Sequence, residues 1–73
     1  MTLVAEKIRH LLARSAKAQE KHDCAGAYHA LIQAVKAFGH AMGAGDLNFS
    51  EAGSLERQLR DRVIDVFDGC IGE

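Results

Sequence analysis

Two neighbouring apolar stripes run along the middle of the chain at helical spacing. One stripe consists of larger side chains, Cys24, Tyr28, Leu31, Val35, Phe38 and Met42. The other consists only of alanines, at positions 27, 30, 34, 37 and 41. At about 100° per residue, the two stripes cover about half the circumference of a helix. We therefore expect this helix to pack against neighbours on two sides, with a close backbone approach on its alanine side.

Amphipathic segments before and after this helix predict two more helices. The first follows Thr2, a possible N-cap. The third follows Asn48, which can form a capping box with Glu51, and Ser50 or Ser54 is the alternative N-cap. The three predicted helices cover about residues 2–21, 23–43 and 50–71.

The apolar seam of the first helix does not continue unbroken into the second. It shifts by one residue, or about 100°, close to Asp23. We interpret this shift as a tight turn between two antiparallel helices, with Asp23 as the N-cap of the second. A single long helix with a rotated seam is the alternative.

Composition agrees with an all-helical fold. The 73 residues include no proline and 48% are hydrophobic, which favours helix over disorder. We predict one all-α domain over residues 1–73, a small three-helix bundle in which a third helix packs on an antiparallel helical hairpin.

Such a bundle leaves apolar surface uncovered. We expect the first and third helices to cover the larger side chains of the second helix, and its alanine stripe to remain free. An exposed apolar patch of this kind indicates an interface, so we predict a homodimer. The expected dimer or partner interface consists of Ala30, Ala34, Ala37, Ala41, Ile64, Phe67 and Ile71.

Charge is divided between the first and third predicted helices. Residues 1–22 carry five Lys and Arg against two Glu, a net +3, and residues 46–73 carry three Arg against seven Asp and Glu, a net −4. We predict that the basic stripe of the first helix is a charged partner face, and a merely solvated face is the alternative. The basic stripe consists of Lys7, His10, Arg14, Lys17 and Lys21.

No residue pattern typical of catalysis or of a cofactor site occurs along the chain. We expect no enzyme activity, no catalytic residue, no cofactor and no metal site. Cys24 and Cys70 fall in apolar seams at one end of an antiparallel pair, and we expect buried, reduced thiols, with a disulfide or a metal as alternatives. A polar stripe on the second helix is interpreted as solvated, with a recognition face as the alternative. It consists of His29, Gln33, Lys36 and His40.

A charged residue, Glu6, interrupts the apolar residues near the N-terminus, so we expect no signal peptide. No apolar run is long enough to cross a bilayer, and we expect a cytoplasmic protein with no membrane partner. Small helical proteins without a chemical site are often adaptors, or inhibitors made by phages and other mobile elements.

We therefore predict a non-enzymatic protein-binding regulator or inhibitor that acts through its helix faces as a homodimer. Its partners are then a second copy of itself and an unidentified protein. A nucleic-acid-binding regulator that uses the basic stripe is the alternative. The net charge of −1 disfavours that alternative, because nucleic-acid-binding domains are usually basic.

Overall fold

The computed structural model describes residues 3–71, and the side chains of residues 3–70. It contains three α-helices, α1 (Leu3–Glu20), α2 (Cys24–Ala44) and α3 (Phe49–Val66), followed by one π-helical turn over Phe67–Ile71. Every pair of α-helices is in contact, so the predicted all-α three-helix bundle is confirmed. Thr2, the expected N-cap of α1, lies outside the described residues.

Residues 21–23 form a tight turn between α1 and α2. The Asp23 amide donates to the carbonyl of Ala18 at 2.9 Å, and His22 takes a left-handed conformation with a φ of 61°. This geometry ends a helix and reverses the chain. The Asp23 carboxylate accepts a hydrogen bond from the Gly26 amide at 2.9 Å. The predicted N-cap is therefore confirmed, and α1 and α2 form a hairpin rather than one long helix.

The connection from α2 to α3 combines a glycine C-cap with a capping box. Gly45 ends α2 with a φ of 73°, and the Asp46 amide donates to the carbonyl of Ala41 at 2.9 Å. The Asn48 side chain accepts from the Glu51 amide at 2.7 Å, and the Asn48 amide donates to the Glu51 carboxylate at 3.4 Å. The predicted capping box is confirmed, and α3 begins one residue earlier than predicted.

Contacts near the α1–α2 turn show the directions of the helices. Ser15 Oγ of α1 donates to the carbonyl of Ala27 in α2 at 2.8 Å. Gln19 Nε2, near the end of α1, donates to the carbonyl of Asp65, near the end of α3, at 3.0 Å. α1 and α3 therefore run in the same direction, and α2 runs antiparallel to both.

The core lies along the line where the three helices meet. Ile8, Leu55 and Val66 are its largest fully buried apolar side chains. The other apolar members of this core are Ala5, Leu12, Ala27, Leu31, Ala34 and Leu59. Each helix therefore contributes one buried face.

The C-terminal end of α3 differs from the regular helix predicted to residue 71. The α-helix ends at Val66, and a π-helical turn follows over Phe67–Ile71. Cys70 lies in this turn and is bonded to Cys24, the first residue of α2. The bond fixes Cys70 relative to another helix and so constrains the backbone of the turn, which helical periodicity does not reveal.

Candidate interaction surfaces

The alanine stripe of α2 is buried inside the chain. Ala30, Ala34 and Ala41 expose 2%, 0% and 1% of their surface, and Ala37 is half-buried. The prediction that this stripe stays free for another chain is wrong. Because its side chains are short, the neighbouring helices of the same chain approach closely and cover it, and α1 forms the more extensive contact with α2.

The stripe of larger side chains is covered only in part. Leu31 exposes 4% of its surface, whereas Tyr28, Val35 and Met42 expose 50%, 44% and 48%. These three residues recur every seven positions, so they form one line along α2. The prediction that the first and third helices cover this whole stripe is therefore wrong at these three positions.

Ile64 of α3 and Phe67 of the π-helical turn are two further exposed apolar side chains. Tyr28 follows Cys24 by one helical turn, and Phe67 precedes Cys70 by about one turn. The Cys24–Cys70 bond holds the two cysteine Cα atoms 5.7 Å apart, so it brings these aromatic residues to the same junction. Phe67 and Ile64 expose 49% and 51% of their surface, which leaves both predicted interface residues accessible.

We name this exposed surface at the α2–α3 junction the apolar face. It consists of Tyr28, Val35, Met42, Ile64 and Phe67. One turn before Ile64 on α3, Arg60 forms a salt bridge of 3.2 Å with Glu56. The side chain of Ile71, which was also predicted at the interface, lies outside the described part of the chain.

The two cysteines form a disulfide bond. Cys24 and Cys70 lie at the same end of the antiparallel α2–α3 pair, as their positions in the two seams predict, and they are covalently joined across 46 residues. The prediction of reduced thiols is wrong. The sequence showed that the two side chains could meet, but the expectation of reduction rested on an assumed compartment and not on geometry.

The basic stripe lies on the exposed surface of α1. All five of its members are exposed. Asp61 and Asp65 of α3 and Asp68 of the π-helical turn are exposed as well, and Asp65 lies 3.8 Å from Arg62 of the same helix. Positive charge therefore runs along the exposed side of α1, whereas α3 carries acidic and basic side chains together, four Asp and Glu against three Arg over Phe49–Val66.

A surface groove of about 540 Å³ lies between α1 and α2, at the end of the bundle opposite the α1–α2 turn. Its half-buried apolar floor consists of Val4, Leu11 and Ala37. Its exposed polar rim consists of Lys7, Gln33, Lys36 and His40. The sequence predicted Lys7 in one stripe and the α2 residues in another, and the fold brings parts of both stripes together. No carboxylate lines this groove in the part of the chain that the structure describes.

One polar link between α1 and α3 had no signal in the sequence. Arg62 Nη2 donates to Oε1 of Gln19, and Gln19 Nε2 donates to the carbonyl of Asp65 at 3.0 Å. Gly69 lies against the same amide group, and a Cβ at this position would collide with it. Because the contact joins residues 43 positions apart, helical spacing could not indicate it. The link holds the two helices together and belongs to neither the apolar face nor the groove.

No protein-family model matches this sequence, and comparisons with curated proteins and with solved structures found no match. Within residues 3–71, none of the helices combines the length and the apolar character that crossing a membrane requires. In the same range, no three or more His, Cys, Asp and Glu side chains are grouped so that they could hold a metal ion.

Proposed function

We propose that this chain is a small non-enzymatic protein-binding regulator or inhibitor that acts as a homodimer. The observation that carries the proposal is the apolar face, on which five large apolar side chains each expose between 44% and 51% of their surface. A contiguous exposed apolar patch is typical of an interaction site, and the proposal takes these five side chains to form one such patch. Regulation then consists of occupying the surface of a partner, and the proposal assigns no catalytic residue.

A second copy of the chain fits the apolar face for two reasons. Two of the charges near the face, Glu56 and Arg60, form an ion pair within α3 and do not call for a partner of opposite charge. Two α2–α3 pairs that meet face to face also form a four-helix arrangement, in which apolar seams are covered from both sides. Contact through the same surface of both copies gives a closed dimer and not a filament.

Sedimentation of the purified protein at micromolar concentration tests the dimer. We expect the wild-type chain to sediment as a dimer, and Val35→Glu to sediment as a monomer with unchanged helicity, because a carboxylate would be buried in the interface. Ala13→Glu places the same charge at an exposed position of α1 and should remain dimeric. A wild-type monomer, or a dimer that persists in Val35→Glu, would contradict the proposal.

A second candidate function is nucleic-acid binding by the basic stripe. It is favoured by the exposure of all five members of that stripe. Phosphate contacts of this kind weaken steeply as salt increases. In a gel shift with duplex DNA, Lys17→Glu combined with Lys21→Glu should abolish binding. An unchanged gel shift in this double variant would remove this candidate.

A cytoplasmic location is also part of the proposal, and it concerns the Cys24–Cys70 bond. Cytosolic thiols are kept reduced, whereas disulfides persist in oxidising compartments. The Cys24–Cys70 bond therefore counts against this location, and the redox state of the two cysteines in the cell tests it. Alkylation of intact cells before lysis tests this: modified cysteines support the cytoplasm, and protected cysteines indicate an oxidising compartment.

A further inference from the structure

The groove between α1 and α2 differs from the apolar face in charge. Lys7 contributes a cation from the α1 rim, and Lys36 and His40 contribute an ammonium group and an imidazole from the α2 rim. Between the rims lies a half-buried apolar floor. A ligand that fits this groove therefore needs an apolar ridge with negative charge on both flanks.

The dimensions of the groove suit a helix. The α1 residues on its floor, Val4 and Leu11, are seven positions apart, which is about 10 Å along a helix axis. Two packed helices present a groove into which the side-chain ridge of a third helix fits. An amphipathic helix bound in this way is anchored by apolar residues at i, i+3 or i+4, and i+7.

The apolar floor of the groove favours a protein helix over a nucleic acid as the ligand. Phosphate backbones need cations and gain little from apolar surface, whereas Leu11 and Ala37 offer only apolar contact. The cations on both rims equally disfavour a basic helix, because like charges brought together at an interface cost binding energy.

We infer that the α1–α2 groove binds an acidic amphipathic helix of a partner protein. Aliphatic residues of that helix cover the floor, and its carboxylates meet Lys7 on one rim and Lys36 on the other. This inference rests on the proposed protein-binding function and names the chemistry of its partner. The groove and the apolar face are different surfaces, so the dimer keeps the groove free.

The probe for this inference is a designed helical peptide of about 18 residues, or five turns. It carries leucines at i, i+3, i+4 and i+7 and glutamates on both flanks, with a fluorophore for anisotropy. We expect saturable binding to the wild-type chain. A scrambled peptide of the same composition lacks the apolar ridge, and we expect it to bind at least about tenfold more weakly.

Variants of the chain locate the binding. We expect Lys36→Glu to weaken peptide binding about tenfold, and the double variant with Lys7→Glu to weaken it further, because each reversal sets a carboxylate against the carboxylates of the peptide. Lys17→Glu changes the same kind of residue on the basic stripe but outside the groove. Its effect should be about twofold or less, since exposed charges beyond a Debye length are screened.

Any one of the following results would overturn the inference: no peptide binding, equal binding by the Lys7→Glu/Lys36→Glu variant, or duplex DNA that competes as strongly as the peptide. A Lys36→Glu variant that no longer forms the dimer of the wild-type chain would also overturn it, because the groove would then be occupied by a second copy. The dimer is judged separately with Val35→Glu. Peptide binding by a wild-type monomer defeats only the dimer, and an intact dimer without peptide binding defeats only this inference.

Discussion

The alanine side of α2 and its side of larger residues differ in how far they are buried. On the alanine side, Ala27 and Ala34 are completely buried, although a methyl group offers little apolar area. On the side of larger residues, Leu31 is buried but Val35, one turn later, exposes 44% of its surface. The more hydrophobic side of the helix is therefore the more accessible one.

The difference shows that shape decides which surface a small bundle covers. Short side chains let neighbouring backbones close over them, and a closely packed interior leaves few voids. Large side chains hold a neighbouring helix at a distance, and a third helix can cover only those that point directly at it. Four changes to α2 and its partners, from the largest expected effect to the smallest, test this account.

The largest effect is expected from removing the Cys24–Cys70 bond, which ties the side of larger residues to α3. Closing a loop across 46 residues restricts the unfolded chain, and its loss should cost about 4 kcal/mol. Urea unfolding with and without a reductant measures this loss. The Cys24→Ser/Cys70→Ser variant is the control, because its stability should match that of the reduced wild type and not respond to reductant. Equal stability of the oxidised and reduced chains would contradict the prediction.

Leu31 and Val35 provide a comparison within the stripe of larger residues. Leu31→Ala removes a buried side chain and should destabilise the chain by about 3 kcal/mol. Val35→Ala removes exposed atoms and should change stability by about 0.5 kcal/mol or less. Both values come from urea unfolding at the lowest protein concentration that gives a signal, so that dimer contacts do not contribute. Similar losses in the two variants would show that the outer part of this stripe is covered within one chain.

Ala34→Leu tests the alanine side. Ala34 is completely buried, so a larger side chain must push the neighbouring helices apart, and we expect a loss of about 2 kcal/mol. Ala25→Leu makes the same change at an exposed position of α2 and should have little effect on thermal unfolding. If Ala34→Leu unfolded like the wild type and changed only self-association, the stripe would be an interface after all.

The helices, the turn at Asp23 and the capping box at Asn48 follow from the sequence because they depend on residues a few positions apart. The side of α2 that stays exposed does not follow, because periodicity gives the angle of a side chain but not the distance to the next helix. The sequence predicted that the two cysteines lie close together, but it did not predict that they are oxidised to a disulfide. The groove is the clearest example of a feature that the sequence does not reveal, because Lys7 and Lys36 belong to different stripes and become neighbours only when α1 and α2 pack against each other.

The smallest effect concerns a polar contact on the alanine side. Ser15 is completely buried, and its hydroxyl donates to the Ala27 carbonyl at 2.8 Å. Ser15→Ala keeps a small side chain at this close approach but removes the hydrogen bond, so it should cost about 1 kcal/mol in urea unfolding. The control is Ser54→Ala, because the Ser54 hydroxyl accepts a hydrogen bond at an exposed site where water can replace it. A Ser15→Ala variant as stable as the wild type would mean that close helix packing alone holds the alanine side together, without help from this hydrogen bond.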